Sequence, residues 1–238
     1  VARRQPPLEQ LATDLQARHE IVVEALAADL NAAEDLGRVE ARLEDGEHPI
    51  DLLVNNAGSE TEHAPFLDRD RNLLDAEAHL NALALLRLTH AAATAMARRG
   101  HGNIVNVSAG VAFYPTPGSA AYAASKAFVN SLSVALDYEL RPHGVRVTAA
   151  CPGFTPTQAQ ARLGLHAEWV PRAFRTEPAY VAAASLRAAR RGRRISSLTR
   201  AGALVSFLGH HLPRSLWLPS VARAQARLAG PGRSGESV

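Results

Sequence analysis

The feature that most constrains this chain is a set of short apolar runs separated by helix-length stretches. Ile50-Asp51-Leu52-Leu53-Val54 stops at Asn55-Asn56-Ala57-Gly58. Gly102-Asn103-Ile104-Val105-Asn106-Val107 is a second run. Gly144-Val145-Arg146-Val147-Thr148-Ala149-Ala150 is a third, closed by Cys151-Pro152-Gly153. Short runs rich in β-branched residues and bounded by turn residues read as buried strands. Residues 75–99, ending at Gly100, and residues 119–140 read as the helices between them. Strands alternating with long helices imply a parallel sheet covered on both faces, since parallel neighbours need a long crossover. The expected fold class is α/β.

The flanks fit this pattern more loosely. Residues 5–18 read as a helix with Pro6 and Pro7 at its start, where proline is tolerated. Residues 21–26 read as a strand ending at Asp29-Leu30, and Asn31 as the N-cap of a helix reaching about residue 43. Residues 108–117 form a loop of small residues. Residues 154–176 carry few signals and are expected to form a mobile lid. A helix is expected over 178–191. An apolar stretch, 201–208, is cut short by His210, His211, Pro213 and Arg214. Residues 215–228 are amphipathic, and 230–238 read as a disordered tail.

With 47% hydrophobic residues and 5% aromatic ones, the core must be built mainly from Ala, Leu and Val. Cys151 is the one cysteine, which excludes an intrachain disulfide and fits a reducing cytoplasm. No apolar run is long enough for a transmembrane helix, and the first seven residues lack the apolar stretch of a signal peptide. The ten histidines are scattered without metal-ligand spacing, so no metal site is expected.

Of the 26 basic side chains, 25 are arginine; the exception is Lys126, four residues after Tyr122. On a helix that spacing places both on one face. A phenol beside an ammonium is a plausible acid/base pair, because the cation stabilises the tyrosinate. Lysine, a compact ammonium on a flexible stem, does what the planar arginine fork does not. The spacing alone is common, and a surface lysine near a core tyrosine satisfies it equally well.

Together these residues resemble the short-chain dehydrogenase/reductase family, over residues 1 to about 191. Asn55-Asn56-Ala57-Gly58 is similar to the turn after the family's fourth strand, so Asn55, Ala57 and Gly58 are implied to line the cofactor site. Asn81 falls at the structural and proton-relay asparagine. Tyr122 and Lys126 match the YxxxK pair. Pro152-Gly153 matches the PG turn, with Thr157 where a threonine often touches the nicotinamide amide. Asp29-Leu30 resembles the pair bordering the adenine ring. The implied fold is a Rossmann-type doubly wound sheet over residues 1–200, followed by a basic and apolar helical extension, 201–238. The implied reaction is hydride transfer between a nicotinamide cofactor and a carbonyl or alcohol. Tyr122 is then the general acid/base, and Lys126 holds the ribose and lowers the tyrosine pKa. Arg3 and Arg4 fall where a basic residue contacts the adenosine 2′-phosphate, which favours NADP(H) over NAD(H).

Two departures qualify the resemblance. The family's TGxxxGxG turn is absent before Asp29, as is its first strand. The expectation is an N-terminally truncated sequence, or one whose start lies downstream of the true one. Taken as complete, it is expected to be poorly stable and to bind cofactor weakly. The family's catalytic serine usually lies thirteen residues before the tyrosine, which here is Ala109. Ser108 is the neighbouring candidate, usable only if the loop after Val107 is reshaped. An alternative function is therefore an impaired or inactive member acting as a binding or scaffold protein. The resemblance also implies a homodimer or homotetramer.

Charge is distributed unevenly. Residues 172–238 hold twelve arginines against Glu177 and Glu236, whereas residues 1–171 carry a balance of −7. The basic region lacks interleaved aromatic residues, so nucleic acid is not an expected partner. Either a solvated arginine face or peripheral contact with an anionic membrane accounts for it.

Overall fold

The computed structural model describes residues 1–156 and 170–228. In chain order these contain α1 (Gln5–His19), α2 (Ala33–Glu44), β1 (Leu52–Asn55), α3 (Arg71–Ala78) and α4 (Leu85–Arg99). They continue with β2 (Gly102–Val107), α5 (Ala120–Leu140), β3 (Val145–Cys151), α6 (Pro178–Arg190), β4 (Ile195–Ser197), α7 (Arg200–His211) and α8 (Arg214–Leu228). The four strands form one parallel sheet in the order β1-β2-β3-β4.

Strand alternation divides the core between the two faces. Ile104 and Val147 point to one side, where Leu36, Val39 and Leu43 of α2 meet Leu88, Ala92 and Met96 of α4. Val105 and Ala150 point to the other, against Ala189 of α6. The small core residues let helices approach closely, as the composition requires.

Helix ends follow local chemistry. Asp70 caps α3 by accepting from Asn72 N (2.7 Å) and Leu73 N (3.1 Å). Gly100 ends α4 with φ of 77°, where a side chain would be strained. Between α3 and α4, residues His79–Ala84 form a π-helical turn, so the single helix expected over 75–99 is longer at its start and interrupted at its centre. Such turns re-aim side chains, and this one carries Asn81.

Two expectations need correction. Residues 21–26 are not a strand; only Ala27 pairs, with Ala2, and Val22 is 97% exposed. An apolar alternation becomes a strand only beside a ladder, and this bridge stands apart from the four-stranded sheet. Asn31 is not the cap of α2, whose N-cap position is Ala32 with no side-chain cap. Asn31 instead receives His79 Nδ1 at 3.1 Å from its Oδ1. Strand β4 had no expectation at all, because Ile195-Ser196-Ser197 is too short and polar to stand out. At the opposite edge, β1 leaves Leu52 and Val54 exposed.

Candidate active site

Strands β1, β2 and β3 run parallel, so the loops after Asn55, Val107 and Cys151 open at the same end of the sheet. In open α/β sheets this is where ligands bind. Asn55 itself turns inward. Its Nδ2 donates to Thr89 Oγ1 (3.0 Å) and to Asn106 Oδ1 (2.9 Å), and Asn106 Nδ2 donates to Ser133 Oγ (3.0 Å). This buried network joins β1, β2, α4 and α5. The side chain of Asn55 thus positions the loop, while Ala57 and Gly58 lie exposed above it.

Gly58, Asn81 and Lys126 converge. A Cβ added to Gly58 would lie 3.0 Å from Asn81 Oδ1 and 3.1 Å from Lys126 Nζ. Asn81 is fully buried and clamps the next residue, accepting from Ser59 N (2.9 Å) and donating to Ser59 O (2.7 Å). Lys126 Nζ donates to Val107 O at 3.0 Å and lies 5.7 Å from the Tyr122 ring centroid. One donor of the ammonium is thereby engaged; the others have no hydrogen-bond partner among the described residues.

Burial acts on both members of the pair. It pushes the Lys126 ammonium down to about 8. It pushes the Tyr122 phenol up, and the carboxylates of Glu60 and Glu77 push it further. The expected lowering of Tyr122 by Lys126 is therefore corrected: the ammonium points to Val107 O, while burial and two acids stabilise the protonated phenol.

Ser108 does not present a free hydroxyl to the crevice. Its N–H continues the β2 ladder to Ala150 O (2.8 Å), so strand parity keeps its side chain on the α5 face. There Oγ donates to Lys126 O at 2.9 Å, fully buried. Ala109 has extended backbone and no donor side chain. The loop is not reshaped in the way a catalytic Ser108 requires.

The turn after β3 is tightly held. Pro152 O accepts from Gly110 N (2.8 Å), and a Cβ on Gly153 would lie 2.7 Å from Phe174 O. Thr157, most of the lid expected over 154–176 and the tail expected over 230–238 lie outside the described residues. At the far edge, exposed Arg3 and Arg4 follow Ala2, whose carbonyl accepts from Ala28 N (3.0 Å). Asp29 and Leu30 follow directly. Asp29 Oδ1 accepts from Asn31 N (3.0 Å), and Leu30 packs on the core.

Sequence reasoning missed two polar clusters near Tyr122. Ser119 Oγ donates to Glu60 Oε1, and His63 Nδ1 lies 2.7 Å from Ser119 Oγ. Glu77 Oε2 accepts from Thr61 N (2.7 Å) and from Arg69 Nη2 (2.9 Å). These clusters tie the segment after Gly58 to α5 and α3. No motif spacing announces them, although the placement of Ser119 three residues before Tyr122 is a helical-face signal.

Fold and site together define a doubly wound α/β protein with a Tyr–Lys pair and a glycine cradle at the carboxyl ends of its strands. Residues 1–168 match the family model described as short chain dehydrogenase, and the chain belongs to that family. It is 33% identical over 152 residues to a very-long-chain 3-oxoacyl-CoA reductase of Pyrenophora tritici-repentis, covering 62% of this chain and 44% of that protein. It is 38% identical over 121 residues to carbonyl reductase [NADPH] 2 of Sus scrofa, covering 50% and 49%. The chain thus spans about half the length of these curated relatives. Among solved structures, a short-chain dehydrogenase from Sphingobium yanoikuyae in complex with NADPH is similar with a TM-score of 0.77 and 30% identity, covering 99% of this chain and 86% of that one. A bulky-bulky ketone specific alcohol dehydrogenase from Comamonas testosteroni has a TM-score of 0.72 and 27% identity, covering 99% and 84%.

Proposed function

We propose that the chain carries the catalytic half of an oxidoreductase that uses NADP(H) and a carbonyl or secondary alcohol. The observation that carries this reading is the buried ammonium of Lys126, with donors left over, beneath the side-chain-free surface of Gly58 and beside Tyr122. A ribose has the hydroxyl acceptors those donors need, and the Gly58 cradle admits a flat group that a Cβ would exclude. The nicotinamide, when bound, supplies or accepts the hydride.

The chain's own residues do the rest. Lys126 holds the ribose, with Ala57, Gly58, Pro152 and Gly153 offering backbone surface. Tyr122 keeps its proton at neutral pH and gives it to the carbonyl oxygen, which favours the reductive direction. Asn81 holds Ser59 and so fixes the floor beneath Lys126. Arg3 and Arg4, exposed beside Asp29 and Leu30, suit an additional phosphate and support NADP(H) over NAD(H). The similarity to an NADPH-bound structure and to an NADPH carbonyl reductase points the same way.

One observation favours a second reading, that of a weak catalyst. Ala109 provides no hydroxyl, and Ser108 Oγ is already bonded to Lys126 O. Losing such a donor costs roughly 10²–10³ in rate.

The test is NADPH and NADH oxidation over a panel of ketones and aldehydes, with Tyr122→Phe as control and Ala109→Ser as the gain variant. The reading expects NADPH-dependent turnover that Tyr122→Phe abolishes and Ala109→Ser raises. Turnover that survives Tyr122→Phe rejects the assignment. Binding of neither cofactor, by fluorescence titration, rejects the cofactor reading independently of substrate choice.

A further inference from the structure

The pair α7–α8 has one side committed to the body of the protein and one side uncovered. On the committed side, Ser206 and Val221 are buried. A Cβ on Gly209 would lie 2.7 Å from Tyr114 Cδ1, and the Trp217 ring meets the Tyr114 ring edge-on at 5.6 Å. Tyr114 belongs to the segment between β2 and α5, so α7–α8 leans on the loop that precedes Tyr122. On the uncovered side, Leu204, Phe207, Leu212 and Leu216 are 58%, 59%, 38% and 68% exposed. Leu204 and Phe207 are three apart on α7 and share a face. Four large apolar side chains this exposed, around one helix–helix corner, mark a contact surface.

The charge around this ridge identifies what it contacts. From residue 200 to residue 228, the span of α7 and α8, there is no Asp or Glu, and there are four arginines. Arg214 and Arg223 of α8 are exposed. An isologous contact with a second copy would set this all-positive region against itself, at a cost in repulsion. An anionic lipid surface offers the opposite sign together with an apolar layer for the ridge. No helix among the described residues is long and apolar enough to cross a membrane, so the geometry is that of a segment lying on the surface.

We propose that the α7–α8 ridge docks this protein on anionic bilayers, its leucines and Phe207 entering the headgroup boundary and its arginines facing the lipid charge. The contact with Tyr114 joins the docked pair to the loop before the Tyr122 helix, so lipid binding and the site are mechanically connected.

Co-sedimentation of the full chain with vesicles tests this without requiring turnover. Vesicles of phosphatidylcholine alone are compared with vesicles containing about 30% phosphatidylserine, at low and high salt. Binding to the anionic vesicles, weakened by salt, is expected. It should fall roughly tenfold in the pair Leu204→Ser/Phe207→Ser, and likewise in Arg214→Glu/Arg223→Glu, with unchanged circular dichroism. Two separate pairs guard against misfolding of either. Equal binding to both vesicle types, no binding, or variants that bind like the parent would overturn the proposal. So would a dimer in solution that Leu204→Ser/Phe207→Ser converts to monomer, which assigns the ridge to a second copy.

Discussion

Replacing Lys126 by methionine should abolish the pH dependence of stability that the buried ammonium creates. Lys126 is 4% exposed, and burial brings its pKa from an ordinary 10.5 to about 8. The folded protein therefore releases this proton near pH 8, whereas the unfolded chain keeps it to about pH 10.5. Between those values the unfolded state binds more protons, so stability rises with pH. The gap corresponds to about 3 kcal/mol, present as a penalty at neutral pH and removed at high pH. Lys126→Met removes the charge and keeps the shape, but it leaves Val107 O without its donor, costing about 1–3 kcal/mol. At pH 7 the two effects offset, and the variant should be as stable as the parent or more so. The decisive quantity is the difference between the two proteins across pH. Urea unfolding at pH 7, 8, 9 and 10 should show the parent gaining on Lys126→Met by most of that amount, since other titrating groups contribute equally to both. Parallel stability curves would refute the buried-ammonium reasoning.

Two further outcomes follow from the same geometry. Gly58→Ala forces a methyl against Asn81 Oδ1, which is held by Ser59, and against Lys126 Nζ, the more mobile of the two. Displacing Nζ should cut kcat/KM by roughly tenfold or more while stability falls by about 1 kcal/mol, read by steady-state kinetics and thermal melts. Asp137 is 1% exposed. Burial alone would raise its carboxyl, but Arg141 (2.6 Å), Val147 N (3.1 Å) and Arg194 (2.9 Å) outweigh it and hold the pKa below the ordinary value. Its contribution is complete above the unfolded pKa near 4 and is lost as pH falls through the folded value. Asp137→Asn should cost about 1–3 kcal/mol at pH 7 and flatten the acid limb of the stability curve, measured by urea midpoints between pH 7 and 2.

Much of the fold was legible because strand and helix signals are local. The runs ending at Val54, Val107 and Ala150 became β1, β2 and β3 within a residue or two, and Gly100 ended its helix as expected. The expected strand over 21–26 failed because pairing is not local: without a neighbouring ladder, Val22 stays in solvent. The π-turn was invisible for a related reason, since no residue type marks it.

At the site, the Tyr–Lys spacing alone is common, and it was the set of motifs in the family's order that nominated Asn81, Tyr122 and Lys126. The sequence by itself therefore determined the architecture and the pair at its centre. Only the tertiary structure decided what that pair experiences. Depth of burial brings Lys126 down and, with Glu60 and Glu77, pushes Tyr122 up, reversing the expected shift of the phenol. Strand parity turns Ser108 into the protein, where its Oγ bonds Lys126 O. Desolvation and side-chain direction depend on neighbours distant in the chain, and spacing along a sequence carries no record of them.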